Sequence, residues 1–218
     1  MASLSELGSN PKSFVFGPQA ISFDVDAFHK LRLQLQETPR SQWALNTAAD
    51  LPSEWGTISE NIKKLQDFDG KSLLERLNEW LVGAPIPEGS FPLPNTLLSP
   101  LVVIAQLIQY CAFLEAALPE LRDTDELPAT TKASTETLGL CTGTLSAFVV
   151  ACSSSLADIG RYGAVAVRLA MLAGALVDAE EAARDVDDKS MSFSASWSAE
   201  ESGISDVLGK FPEVNTSP

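Results

Sequence analysis

The sequence predicts an α/β protein with a partly parallel sheet, in which a strand–nucleophile–helix elbow presents a cysteine. Three observations carry this expectation. The run over residues 137–147 sets Cys141 midway between Gly139 and Gly143, with an apolar approach before it and a small-residue helical pattern after it. Short β-prone runs stand at 13–16, 135–140 and 190–197 with helical patterns between them, which is the order of an α/β chain. The first two runs end in tight turns, at Gly17-Pro18-Gln19 and at Cys141, and in such sheets reactive groups gather at the carboxyl ends of strands.

The Gly-x-Cys-x-Gly string has a direct physical meaning. Glycines two before and two after the reactive residue remove Cβ atoms that would crowd a sharp strand-to-helix turn. The following helix aims its first amides, and the positive end of its dipole, at the sulfur. That setting favours thiolate, the reactive form. The string alone also fits a buried cysteine in a glycine-flanked turn.

The 218 residues suffice for one core, and 45% apolar content fits a globular domain. A net charge of −14 argues against nucleic acid and anionic membrane as partners, because both would be repelled. The three cysteines, Cys111, Cys141 and Cys152, form no Cys-x-x-Cys or Cys/His pairing, so neither a disulfide framework nor a metal site is expected. Residues 1–11 are polar where a signal peptide would be apolar, and the most apolar run, 97–118, is interrupted by Ser99, Pro100, Gln106, Gln109 and Glu115. No membrane span and a reducing, cytoplasmic setting are expected.

Taken in order, residues 1–12 read as a flexible leader, 13–211 as one domain and 212–218 as a polar tail. Residues 13–16 form the first strand. Residues 23–36 form an amphipathic helix capped by Asp24 or Asp26, with Phe28, Leu31 and Leu35 on one face and Pro39 as its end. The stretch 41–69 reads as mostly irregular, with a helical turn around 59–65. Residues 71–82 are helical, with Leu73, Leu74, Leu77, Trp80 and Leu81 on one side. Four prolines and two glycines make 83–94 a surface loop, functional or merely connecting. Ser99 as N-cap and Pro100 in the first turn open the most apolar helix, which should be buried on several sides. Gln106 and Gln109 within it are either functional or hydrogen-bonded core amides.

Residues 121–132 connect to the strand 135–140, which feeds the cysteine turn. Residues 144–156 form a small-residue helix suited to packing on a sheet. Residues 158–184 form another, with Val165, Leu169, Leu172 and Leu176 spaced for burial and acidic, solvated last turns from Asp178. Met191, Phe193, Ala195 and Trp197 alternate with serines as a strand, and 200–208 holds a short helix.

Several stretches together resemble a known family. They are Phe16-Gly17-Pro18-Gln19, Leu98-Ser99-Pro100-Leu101, Gly139-Leu140-Cys141-Thr142-Gly143, Val167-Arg168-Leu169-Ala170 and the strand ending at Trp197. In this order they resemble the starter-unit acyl carrier protein transacylase domain at the N-terminus of fungal non-reducing polyketide synthases. That domain is similar to malonyl-CoA:acyl carrier protein acyltransferases, with cysteine in place of serine. The resemblance runs over about residues 14–211 and implies a truncated acyltransferase core, α/β-hydrolase-like in its elbow.

It also implies roles. Cys141 would attack the thioester of an acyl-CoA or acyl carrier protein and hold the acyl group. The amides of Thr142 and of the Gln19 turn would stabilise the oxyanion, with Gly139 and Gly143 shaping the turn. The acyl group would pass to the phosphopantetheine thiol of a carrier protein belonging to a polyketide synthase or a fatty acid synthase, with no further cofactor or metal. Arg168 falls where related malonyl transferases carry an arginine for the substrate carboxylate; a structural ion pair is the alternative.

One departure stands out. The family uses a histidine general base from its second half, and the one histidine here is His29, read as a surface residue on the early helix. The chain therefore reads as the first half of such a domain, without its lid subdomain and histidine motif. Lack of the base would cost about 10²–10⁴-fold in rate, and apolar surface should lie open where the second half would dock. The expected function is starter-unit acyl transfer in fungal secondary metabolism. A binding or complementing remnant and a cysteine-dependent thioester hydrolase are the alternatives.

Overall fold

A computed structural model describes residues 12–18, 23–118, 121, 124–129 and 135–183. Within them the protein is mostly helical, with one two-stranded parallel sheet. Strand β1 (Lys12–Phe16) pairs in parallel with β2 (Thr135–Gly139), in a register that sets Phe16 opposite Gly139. Both strands therefore leave the sheet at the same end, and Gly17-Pro18 and Leu140-Cys141 emerge side by side. The α/β expectation holds in that form. The expected strand at 190–197 and helix at 200–208 lie outside the described residues.

Helix α1 (Val25–Glu37) forms where its apolar spacing placed it. The Asp24 carboxylate, not Asp26, accepts from the Ala27 amide at 2.8 Å and caps it, while Phe28, Leu31 and Leu35 are buried. Residues 42–61 depart from the irregular expectation: α2 (Gln42–Asn61) is a continuous helix with Pro52 inside it. Its buried Ala44, Ala48, Leu51, Pro52 and Trp55 recur at helical spacing, so tertiary packing of that stripe outweighs the hydrogen bond that Pro52 forfeits. Helix α3 (Gly70–Val82) agrees with expectation, capped by Asp69 and ended by Gly83 at φ 122°, a conformation suited to glycine.

Helix α4 (Asn95–Ala117) is the centre of the core and starts four residues before Ser99. Ser99 does not cap it. Asp178, expected in a solvated tail, reaches across and accepts from the amides of Asn95 and Thr96 at 3.0 and 2.7 Å, and from their side chains at 2.8 and 2.6 Å. A carboxylate there satisfies amides that have no partner within the helix and complements its dipole. At 23 residues α4 is long and apolar enough to cross a membrane, contrary to the expectation from its interruptions, as is the helix Leu156–Ala182. Most of α4 is instead buried against neighbouring helices, with Leu97, Leu101, Ile104, Leu107, Ile108 and Leu114 fully so.

Helix α5 (Gly143–Cys152) is shorter than expected; the chain breaks at Ser153-Ser154-Ser155 before α6 (Leu156–Ala182). Helix α6 packs extensively on α4, but through the opposite residues to those expected. Its buried face is Gly160, Gly163, Ala166, Val167, Ala170, Met171, Gly174 and Ala175. A Cβ on Gly174 would collide with the Asn95 carbonyl, and one on Gly163 with the Trp43 ring. Close helix approach selects the small residues, so Val165 and Leu169 stay half exposed to solvent while Leu172 and Leu176 are only partly buried. Val165 and Leu169, with Leu145, Phe148, Val149, Cys152 and Tyr162, line an open apolar groove of about 450 Å³ between α5 and α6.

Candidate active site

The site grows from the end of the sheet. The Leu140 amide donates to the Phe16 carbonyl at 2.9 Å, extending the β1–β2 ladder by one rung. The chain then turns within three residues. Cys141 adopts φ 54°, the one non-glycine positive φ among the described residues, and Thr142 at φ −55° and ψ −31° is already helical. The Gly143 amide donates to the Leu140 carbonyl and the Thr144 amide to the Cys141 carbonyl, both at 3.0 Å, and the Thr144 hydroxyl reaches the Gly139 carbonyl at 3.2 Å. A left-handed conformation costs an L-residue roughly 1–2 kcal/mol, which this set of bonds imposes on Cys141.

The two glycines are required for close approach. A Cβ on Gly139 would meet Thr144 Cα and the Gly143 carbonyl, and one on Gly143 would meet the Phe16 and Gly17 carbonyls, in each case within 3.0 Å. All of these are backbone atoms of the elbow and of β1, and they have no rotamer with which to yield. The elbow is thus wedged against the end of β1 with no room for a side chain beneath it.

The thiol of Cys141 is exposed, and its sulfur lies 3.8 Å from the Thr142 hydroxyl. The three cysteines differ sharply. Cys111 is buried in α4, where loss of solvent pushes its thiol up to about 12, with Glu115 adding to the shift. Such a thiol is inert at neutral pH. Cys152 is exposed at the far end of α5, in a regular helix.

Of the other expected site residues, Gly139, Thr142 and Gly143 are gathered at Cys141, and Gln19 lies outside the described residues, two positions beyond Gly17. Arg168 is engaged by acids of α2. From α6 its Nε donates to both Glu54 oxygens at 3.0 and 2.8 Å, its terminal nitrogens reach Glu54 at 2.7 Å and the Ala164 carbonyl at 3.1 Å, and Asp50 is 3.7 Å away. The Glu54 hydrogen bonds raise its pKa against the opposing effect of partial burial. This is the ion-pair alternative of the two, a clasp between α2 and α6. His29 contacts Arg32 Nη2 at 3.2 Å on its own helix, α1. Gln106, left open in the sequence, is hydrogen-bonded to the Gly17 carbonyl and to Ser146. Ser146 had no signal beyond its place in a small-residue helix.

A cysteine held in the left-handed region between a parallel strand and a helix places an exposed thiol at a strand-to-helix turn of an α/β protein. Comparison with known sequences takes this further. A model for the family described as starter unit:ACP transacylase in aflatoxin biosynthesis matches residues 22–217, and the chain belongs to that family. It is 51% identical to the citrinin polyketide synthase of Monascus ruber over 217 residues, which is 99% of this chain and 8% of that protein. It is 51% identical to clavatol synthase of Penicillium crustosum over 210 residues, 95% of this chain and 8% of that protein. With a non-reducing polyketide synthase of Didymella fabae it shares 47% identity over 187 residues, 86% of this chain and 7% of that protein. The chain thus spans under a tenth of the length of these relatives.

Proposed function

We propose that this chain carries the nucleophile for starter-unit acyl transfer in fungal polyketide biosynthesis, on an acyltransferase-type core. The observation that carries the proposal is Cys141 at φ 54°, exposed on an elbow wedged against β1. A strained backbone that presents an exposed thiol adds nothing to packing and fits a nucleophile.

In the proposed sequence Cys141 Sγ, as thiolate, attacks the thioester carbonyl of an acyl-CoA or acyl carrier protein. The carbonyl π electrons move to oxygen, and the oxyanion accepts from the amides of Thr142 and Gln19. Collapse expels the donor thiolate and leaves an acyl group on Cys141. The phosphopantetheine thiol of a carrier protein gives its proton to the released donor thiolate and attacks as thiolate. Collapse of this second tetrahedral intermediate expels Cys141 as thiolate, regenerating it. Both steps exchange one thioester for another, so the energy is nearly balanced and no nucleotide is consumed. The reducing cytoplasm, where a free thiol persists, is the proposed setting.

His29 is the observation that favours a second reading. It pairs with Arg32 on α1 and has no part in the elbow, so a carrier-binding or complementing module without turnover is the alternative. The test is transfer of a radiolabelled short acyl group from CoA through this chain to a phosphopantetheinylated carrier protein. The proposal expects carrier-bound label that vanishes in Cys141→Ala. Carrier binding with no label transfer by either protein would establish the second reading, and release of free acid instead would establish hydrolysis.

A further inference from the structure

Gln106 lies on α4, three turns from the start of that helix, and its side-chain amide bridges two backbone-defined parts of the site. Its Nε2 donates to the Gly17 carbonyl at 2.9 Å, and its Oε1 accepts from the Ser146 hydroxyl at 2.7 Å. The partners fix which way the amide points: a carbonyl can only accept, so the nitrogen must face Gly17, and Ser146 then donates to the oxygen. Ser146 is fully buried on α5, five residues after Cys141. Gly17 is the first residue beyond the last sheet pair, Phe16 opposite Gly139. The ladder holds the chain at this end of β1 only as far as Phe16, whose carbonyl takes the Leu140 amide. The next carbonyl is held by Gln106.

We infer that Gln106 is a positioning residue for acyl transfer, setting the distance between the chain leaving β1 at Gly17 and the cysteine helix by bridging Gly17 and Ser146. The inference rests on the transfer reading above, in which one oxyanion donor comes from Gln19 and the other from Thr142. The two donors stand on separate segments, so a tether between those segments governs whether both reach one oxygen. Leucine at 106 would break both bonds and leave a buried hydroxyl unpaired. Glutamate would set a carboxylate oxygen against the Gly17 carbonyl.

The test separates oxyanion stabilisation from thiol reactivity. Acylation of Cys141 by an acyl-CoA passes through an oxyanion, whereas its alkylation by iodoacetamide does not. In Gln106→Leu we expect acylation to slow about tenfold, a fraction of what losing a whole oxyanion donor costs, with alkylation of Cys141 within twofold of wild type. Hydrogen exchange in the peptide covering residues 16–22 should rise. Ser146→Ala, which removes one bond and little volume, should slow acylation about threefold and serves if Gln106→Leu does not fold. Unchanged acylation in a folded variant overturns the role, as does a parallel fall in acylation and alkylation. A wild-type chain that alkylates at Cys141 but takes no acyl group overturns the transfer reading, and this role with it. In that case hydrogen exchange still shows whether Gln106 tethers the segment.

Discussion

At the elbow around Cys141 the backbone is strained and the side chain is left exposed, whereas at the clasp around Arg168 the backbone is regular and the side chain is fully engaged. Both residues stood out in the sequence as possible parts of one site. Their surroundings separate them. Strain that adds no packing is retained where it serves chemistry, while a charge surrounded by matched acceptors serves the scaffold that holds two helices together. Unmet chemical potential, and not residue type, distinguishes the two.

The largest expected effect lies beneath the elbow. Gly143→Ala should cost about 3 kcal/mol, because the new Cβ meets backbone carbonyls of β1 and neither segment can yield. For a chain of this size that lowers the thermal midpoint by about 6–12 °C. Gly17→Ala, where nothing lies within 4 Å of the added atom, should leave the midpoint close to wild type. Equal loss in the two variants would break the account of the wedge.

The buried counterpart of Cys141 gives the next effect. Burial raises the Cys111 thiol from 9.0 to about 12 and the Tyr110 hydroxyl from 10.0 to about 12, so the folded state keeps protons that the unfolded chain releases. Their contribution is complete below pH 9 and declines as pH rises from 9 towards 12. Thermal midpoints at pH 8, 10 and 11 should fall in that order, as stability declines by up to about 1.4 kcal/mol per pH unit for each group titrating. A flat profile would mean that α4 is not packed as described.

Smaller effects sharpen the contrast between elbow and clasp. Arg168→Met should cost about 1 kcal/mol, since the pair is a third exposed and water screens it. Acylation of Cys141 should stay unchanged in that variant. Slower acylation at an unaltered midpoint would return Arg168 to the site. Cys141→Gly should raise stability by about 0.5–1 kcal/mol, the relief of the left-handed conformation less the flexibility that glycine adds to the unfolded chain. A loss of stability there would show that the elbow is unstrained.

Much of the site was legible because its chemistry is local. Gly139, Cys141 and Gly143 lie within five residues, and the short strands pointed to a partly parallel sheet, whereas the pairing of β1 with β2 and its register came only from the structure. Helices α1 and α3 were legible for the same reason, through apolar spacing within one segment and, for α1, a local cap. What failed was decided between segments. The stretch 41–69 reads as mostly irregular on its own, yet α2 persists because its stripe packs on neighbours distant in sequence. The outward face of α6 was mistaken for the inward one because hydrophobicity marks burial only when there is room, and contact with α4 and Trp43 admits small residues alone. Asp178 caps a helix 82 residues before it, and Gln106 joins two segments on either side of it. No spacing rule within one segment reveals such bonds.

The central claim is that the elbow makes Cys141 the acyl acceptor. Peptide mass spectrometry of the 218-residue chain after brief incubation with a short acyl-CoA tests it most directly. The account predicts one acyl group, on Cys141, with Cys111 protected by burial and Cys152 unmodified on the same timescale despite its exposure. Acylation of Cys152 as fast as Cys141, or of neither, would contradict it.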